Sequence, residues 1–288
     1  MGKRTDLVGD LRRLGVQQGG VLLVQGSLRA VGRAGGGARA VVDALREALG
    51  PEGTLVAYTG TPENSLSSRT HRDETAGLDA AGLRAFLRGM PPFDPERTPC
   101  VRSMGRLAEE IRTTPGAIRS AHPQASFAAV GPLASRIVGS HPLESHLGDL
   151  SPLGRLYEED AEILMVGLPS WKFTPYHLAE YRVADPPMCH YAAVLPGPAP
   201  GSRRWTVFQG VDLDDRRFPE LGAAVQQKVT FGEGRLGDAA CFLVPIVPAV
   251  DAAADLMAEH RNGPVLPGAA RHRSRRMDRG FTPAALLD

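Results

Sequence analysis

Cysteine is scarce in this 288-residue sequence. Cys100, Cys189 and Cys241 stand far apart, are odd in number and form no Cys-x-x-Cys pair. That excludes a disulfide framework and a structural zinc site as organising principles. No apolar run approaches the ~20 residues a membrane helix needs. The opening Met1-Gly2-Lys3-Arg4-Thr5-Asp6 is not followed by the apolar stretch of a signal peptide, so the expected compartment is the cytoplasm, without membrane attachment. Charge of one sign is also lacking. The net charge is +1, whereas a nucleic-acid binder carries a clear basic excess. Arg271, Arg273, Arg275, Arg276 and Arg279 are the exception. They read as a solvated basic tail over 263–288.

What is present is an ordinary globular composition, with 42% hydrophobic and 23% charged residues. The length admits one large domain or two small ones. No repeat or sharp linker precedes Gly263, so a single domain over 1–262 is expected. Leu7, Leu11 and Leu14 predict a helix over 5–15. Val21-Leu22-Leu23-Val24 reads as a buried strand. A helix over 38–49, with Val41, Val42, Leu45 and Leu49 on one face, stops at Gly50. A strand over 54–58 follows. Helix, strand, helix, strand is the pattern of an α/β layer. Residues 59–79 read as a long surface loop. Helical patterns flank Pro91-Pro92, the second over 105–113. Further strands are expected at 126–130, 162–167 and 239–247. Helices are expected at 153–158, 174–182, 218–228 and 250–260, with mixed strand and turn over 191–215.

The common nucleotide and hydrolase motifs are missing. The loop after the first strand, Gln25-Gly26-Ser27-Leu28-Arg29-Ala30-Val31-Gly32-Arg33-Ala34-Gly35-Gly36-Gly37, matches neither Gly-x-Gly-x-x-Gly nor a P-loop. There is no Gly-x-Ser-x-Gly elbow. The loop nevertheless suits an anion. Its glycines let backbone N–H groups approach a phosphate, the next helix presents its positive end, and Arg29, Arg33 and Arg39 add charge. A glycine-rich connection without a ligand is the alternative.

In Thr174-Pro175-Tyr176-His177-Leu178-Ala179-Glu180, Thr174 is a good N-cap and Pro175 suits the first helical position. His177 then lies in the first turn, with Glu180 on the same face. A carboxylate beside an imidazole fixes its tautomer and stabilises its cation, as a general base requires. A solvated histidine beside a solvated glutamate is the alternative. His141-Pro142-Leu143-Glu144-Ser145-His146 has metal-binding residue types, but the spacing is wrong for a zinc helix and Pro142 opposes one.

Several separate stretches, in order, resemble the aminoglycoside 3-N-acetyltransferase family. They are Pro62-Glu63-Asn64-Ser65, Ser103-Met104-Gly105, the run from Arg119 through Ser126-Phe127 to Gly131, His141-Pro142-Leu143, the run from His146 to Tyr157, and His177-Leu178-Ala179-Glu180-Tyr181-Arg182. The resemblance covers roughly residues 5–260. It implies an α/β fold, a layered mixed sheet with flanking helices, distinct from the common small N-acetyltransferase fold. It implies acetyl-CoA as co-substrate, no metal, a small-molecule aminoglycoside acceptor, antibiotic resistance as the outcome, and homodimers. Carried over by position, it makes His177 the base, Glu180 its orienting partner and Thr174 a hydroxyl-bearing neighbour. It assigns CoA to Ser27, Leu28, Arg29, Ala30, Val31, Gly36 and Gly37, with Met104, Gly105, Ser126 and Phe127 also on that side. The family's usual His-Ser-Ser-Leu reads Gln25-Gly26-Ser27-Leu28 here. A polycationic acceptor needs carboxylates, for which Glu63, Asp73, Asp149 and Asp185 are candidates. Two other readings stay open: a family member acting on another amine, such as a biosynthetic intermediate, and a CoA- or nucleotide-binding protein without catalysis.

Overall fold

Periodic apolar residues set the first elements. The computed structural model describes residues 6–32, 36–66 and 68–262; Arg33 and the expected basic tail lie outside them. Helix α1 (Leu7–Leu14) buries Leu7, Leu11 and Leu14. Its N-cap Asp6 accepts the Gly9 N–H at 2.8 Å. Strand β1 (Val21–Gly26) leads into a short helix α2 (Leu28–Val31), then α3 (Gly37–Leu49) and β2 (Thr54–Tyr58). The sequence reading of 25–37 as pure loop is therefore corrected by α2.

Residues 59–79 are not a structureless loop either. A 3₁₀ turn at Pro62–Asn64 and helix α4 (Arg69–Thr75) occupy much of them. The Ser68 side chain caps α4 by accepting the His71 N–H at 3.0 Å. This helix is short and lacks an apolar stripe over several turns, so periodicity does not reveal it. The chain continues through α5 (Ala80–Gly89), α6 (Gly105–Arg112), β3 (Ile118–Arg119), β4 (Phe127–Val130), α7 (Ala134–Val138), α8 (Pro152–Glu158), β5 (Glu162–Val166) and α9 (Tyr176–Arg182). Strands β6 (Met188–Pro196) and β7 (Arg203–Val211) form a hairpin. Then come α10 (Phe218–Gln226), β8 (Gly232–Leu236), β9 (Ala239–Pro245) and α11 (Ile246–Asn262).

Seven strands form one mixed sheet in the order β3-β4-β2-β1-β5-β9-β8, and β6-β7 is a separate ribbon. β1 pairs in parallel with both β2 and β5. β4 joins β2, and β9 joins β5, antiparallel. Alternation divides the central strands between two cores. Leu23, Val56, Ile163 and Met165 face a cluster that includes Tyr176, Leu178 and Ala179 of α9. Leu22, Val24, Leu55, Leu164 and Val166 face the cluster that holds α1, α3 and α6. Strands buried on both sides read as continuous apolar runs, as β1, β2 and β5 do.

From β1 the chain moves to β2 on one side. From β5 it moves toward β9 on the other. The carboxyl ends of β1 and β5 therefore flank a topological switch point, where open α/β sheets form their ligand crevices. Among the described residues no helix is long and apolar enough to cross a membrane.

Candidate active site

Three segments meet at the carboxyl ends of the central strands. The first follows β1. Ser27 donates its N–H to the Val166 carbonyl at 2.9 Å, tying the ends of β1 and β5 together. The packing leaves no room for side chains. A Cβ on Gly26 would come within 2.6 Å of Val166 Cβ, and one on Gly167 within 2.3 Å of Ala30 Cβ. The second segment, Met104-Gly105 at the start of α6, closes on the Gly26 carbonyl. Ser27, Leu28, Ala30, Met104 and Gly105 are thus brought together, and Arg29 points to solvent. Helix α2 opens without a side-chain cap over its first N–H groups. Among the described residues helix α3 has no side-chain cap either; it opens at Gly36 (φ 70°) and Gly37 (φ 91°), both exposed, and a Cβ on Gly37 would meet no described atom within 4 Å.

The third segment, 167–175, rises from β5 to α9. Thr174 does not cap that helix as its sequence suggests. Pro175 is already in the right-handed helical region (φ −61°, ψ −15°), and no side chain caps α9. Instead the N–H groups of Tyr176, His177 and Leu178 donate three residues back, to Phe173 (3.1 Å), Thr174 (3.0 Å) and Pro175 (3.0 Å). This is a tight 3₁₀ entry. Tyr176, Leu178 and Ala179 are buried, which leaves His177 and Glu180 on the opposite face.

His177 Nδ1 lies 2.6 Å from Glu180 Oε2. Glu180 Oε1 accepts the Asp214 N–H at 2.9 Å. The side chains are 19% and 14% exposed, so the pair is recessed without being sealed. Phe218 of α10 supports the imidazole, with ring centroids 4.7 Å apart. A carboxylate only accepts, so Nδ1 carries the hydrogen and Nε2 presents a lone pair. Nε2 has no hydrogen-bond partner among the described residues. The pair can take a proton at Nε2 and stabilise the resulting cation.

Sequence reasoning missed the support from Asp214 and Phe218. The acidic run Asp212-Leu213-Asp214-Asp215 was the available clue. Arg216 bonds the Asp214 carboxylate (Nε–Oδ1 2.7 Å). That bond, and to a lesser degree the nearby His177, holds the carboxyl below its usual range.

The other expected residues separate. Glu63 sits in the 3₁₀ turn after β2, at the same end of the sheet. Its Oε2 is buried with no hydrogen-bond partner among the described residues, and burial raises its pKa. Asp149 is paired outward with Arg182 at 2.7 Å, so its charge is already committed. Asp73 lies exposed on α4, and Asp185, exposed with φ 51°, lies beyond the end of α9. Ser126 and Phe127 are fully buried. Ser126 Oγ donates to the Thr59 carbonyl (3.0 Å) and accepts from Arg119 Nε (2.9 Å). Phe127 packs on Tyr58, centroids 5.0 Å apart. Neither side chain presents surface to a ligand, so both would support the site from beneath.

His141 and His146 belong to a buried cluster with His122, the ring of His122 lying 4.6 and 4.5 Å from theirs. His122 Nδ1 accepts the N–H groups of Gln124 and Ala125, both at 3.1 Å, so Nε2 donates to the Leu143 carbonyl at 3.1 Å. His141 Nε2 donates to the carbonyls of Ser145 and His146. His146 Nε2 donates to Gln124 Oε1 at 2.7 Å. These are neutral rings used as polar cement. Burial pushes His141 down to about 4 and His146 to about 3; burial and its two neighbours hold His122 well below the usual range. Among the described residues no group of three or more His, Cys, Asp or Glu could hold a metal ion.

The mixed α/β sheet thus carries a recessed imidazole–carboxylate pair close to its switch point, an arrangement able to accept a proton. Residues 23–258 match the family model described as aminoglycoside 3-N-acetyltransferase, and the chain belongs to that family of acyltransferases. It is 35% identical over 260 residues to aminoglycoside N(3)-acetyltransferase VIII of Streptomyces fradiae, covering 86% of this chain and 88% of that protein. It is 33% identical over 247 residues to the SPbeta prophage-derived aminoglycoside N(3')-acetyltransferase-like protein YokD of Bacillus subtilis (strain 168), covering 84% and 87%. The crystal structure of YokD superposes with a TM-score of 0.84 over 92% of this chain and 97% of that one, at 30% identity. A structure described as AAC-IIIb binary with CoASH superposes with a TM-score of 0.77, at 29% identity over 92% and 99%.

Proposed function

We propose that the chain transfers the acetyl group of acetyl-CoA to the 3-amino group of an aminoglycoside, with His177 as general base. The observation that carries this assignment is the 2.6 Å bond from His177 Nδ1 to Glu180, which leaves Nε2 as the open basic nitrogen. A neutral amine attacks the thioester carbon, its proton passes to Nε2, and the C–S bond breaks to release CoA. Glu180, held by the Asp214 N–H, fixes the ring and stabilises the imidazolium. The acyl donor is read onto the Ser27–Val31 turn, Gly36-Gly37 and Met104-Gly105, where uncapped helix starts and exposed glycines suit phosphates. Glu63 is the acceptor carboxylate that best fits, because its Oε2 is buried with no hydrogen-bond partner among the described residues. Asp149 is not part of this reading.

Loss of an amine's positive charge weakens attraction to RNA phosphates, which connects the reaction to resistance. The reaction is read as cytoplasmic and the enzyme as a homodimer; sedimentation velocity tests the second. The central test is a thiol-release assay with acetyl-CoA across aminoglycosides, with NMR of the product. Acetylation at the 3-amino group is expected. Release of CoA only with unrelated amines would replace the acceptor assignment.

A further inference from the structure

Strand β1 is apolar up to Val24 and then ends on Gln25 and Gly26. Gln25 lies opposite Met165 of β5. By alternation it shares a face with Val21 and Leu23, and that face carries α9. Its Oε1 accepts the Thr174 N–H at 3.4 Å. This long contact, an N–H meeting an acceptor, favours the carboxamide oxygen on the Thr174 side. The oxygen turns to Thr174, and the NH₂ group turns elsewhere. Among the described residues Nε2 has no hydrogen-bond partner, and the side chain is half-buried. The same Thr174 accepts the His177 N–H through its carbonyl at 3.0 Å. One turn of chain therefore carries the base and orients this amide. One residue beyond Gly26 the acyl-donor turn begins, and two of its N–H groups are already committed, Ser27 to Val166 and Ala30 to Ser27.

We infer that Gln25 is a catalytic hydrogen-bond donor, its Nε2–H set to receive the thioester carbonyl oxygen as it becomes an oxyanion. The inference rests on the acetyltransferase reading above. When the amine nitrogen bonds to the carbonyl carbon, the C=O π pair moves onto oxygen, where Gln25 meets it. The amine proton goes to His177 Nε2. On collapse the oxygen pair re-forms C=O, the C–S bond breaks, and the departing sulfur takes the proton from His177. An N-acetyl amine and CoA thiol result, with nothing oxidised. A donor aimed where charge develops stabilises the transition state more than the ground state.

The test is steady-state kinetics of the full chain carrying Gln25→Glu, Gln25→Met and Gln25→His, with melting temperatures as a folding check and His177→Ala in parallel. Glu keeps an oxygen for the Thr174 N–H but has no N–H. Met has neither. His restores a ring N–H. Losing one oxyanion donor typically lowers kcat about a hundred- to a thousandfold in a closed site. In this more open cleft, a fall of at least about tenfold is expected for both Glu and Met. The KM for acetyl-CoA should stay near parental, and His should recover much of the loss. A fall in Met with parental kcat in Glu would reduce Gln25 to a tether and overturn the donor role. Parental kcat in all three would overturn it outright. If His177→Ala retains turnover, the underlying base assignment fails instead; if His177→Ala is inactive while Gln25→Glu is normal, only the present inference fails.

Discussion

His177 is more enclosed than a first-turn histidine on a surface helix. Its side chain is 19% exposed and its ring rests against Phe218. His177→Ala should therefore lower the melting temperature modestly, through lost packing, while the chain still folds. Turnover at saturating substrates should fall by about two to four orders of magnitude, the usual worth of a general base. Near-normal kcat would transfer the role to another group or to water. The structure also sharpens the expectation for Glu180→Gln. Glu180 accepts two donors, the His177 Nδ1–H and the Asp214 N–H. A glutamine has one acceptor oxygen, so one of the two bonds must break or the ring must change tautomer. The loss in kcat should be about ten- to a hundredfold, smaller than for His177→Ala because the base itself remains. Equal binding of CoA by both variants in calorimetry would separate chemistry from donor affinity.

At the scale of elements, two features carry predictions. No described side chain caps the start of α3, and Gly36 has φ 70°. Aspartate tolerates this conformation better than most residues, and its Cβ would meet the Ala40 Cβ at 3.0 Å, so some loss of melting temperature is expected. Gly36→Asp should still fold, while its carboxylate repels a phosphate there. Affinity for acetyl-CoA should drop about tenfold or more, given the worth of a charge-assisted hydrogen bond. Acceptor binding should survive. Unchanged CoA affinity by calorimetry would remove this helix start from the site.

The second feature is the buried histidine cluster, which ties the approach to β4 to the 141–147 segment. All three rings have folded-state values depressed below the ordinary histidine range. The unfolded chain therefore binds protons that the folded chain refuses. Stability is fully present above about pH 6.5, the unfolded value, and is lost as pH falls toward the folded values of about 4 for His141 and about 3 for His146. Denaturation midpoints should fall steadily between roughly pH 6.5 and 5, before carboxylates titrate. His146→Gln should flatten that slope. A parent midpoint that is level across this window would show that the rings are not held neutral.

On the scale of the whole molecule, charge decides how an acceptor is collected. The net charge is only +1, so no global field draws a polycation. Attraction is expected from carboxylates at one end of the sheet, namely Glu63, Glu180, Asp212 and Asp215, with Asp214 already paired to Arg216. Asp149 contributes little, because Arg182 neutralises it. Exposed charge attraction is screened by salt. The KM for an aminoglycoside should rise at least about threefold between roughly 0.05 and 0.5 M salt, while the KM for acetyl-CoA moves less. A flat response would favour a less charged amine as acceptor.

Local patterning determined much of this protein by itself. The helix at α1, the α3 helix, and strands β1, β2 and β5 were legible because apolar spacing reports burial directly. The ordered motifs around His177 and Glu180 pointed to the family without any coordinates. Only the tertiary structure decided the rest. α2, α4 and β8 are too short or too polar to show a period. The sheet order, with antiparallel β4 and β9 beside a parallel centre, follows from long-range pairing that no local window contains. Thr174 looked like a cap, but the helical conformation of Pro175 moved the helix start past it. Ser126 and Asp149 looked available for ligands, but one is sealed under Arg119 and the other is paired with Arg182. Glu180 owes its second bond to Asp214, thirty-four residues away. Periodicity reads which residues are buried; the partner a polar group finds once the chain has folded is fixed only when distant segments meet.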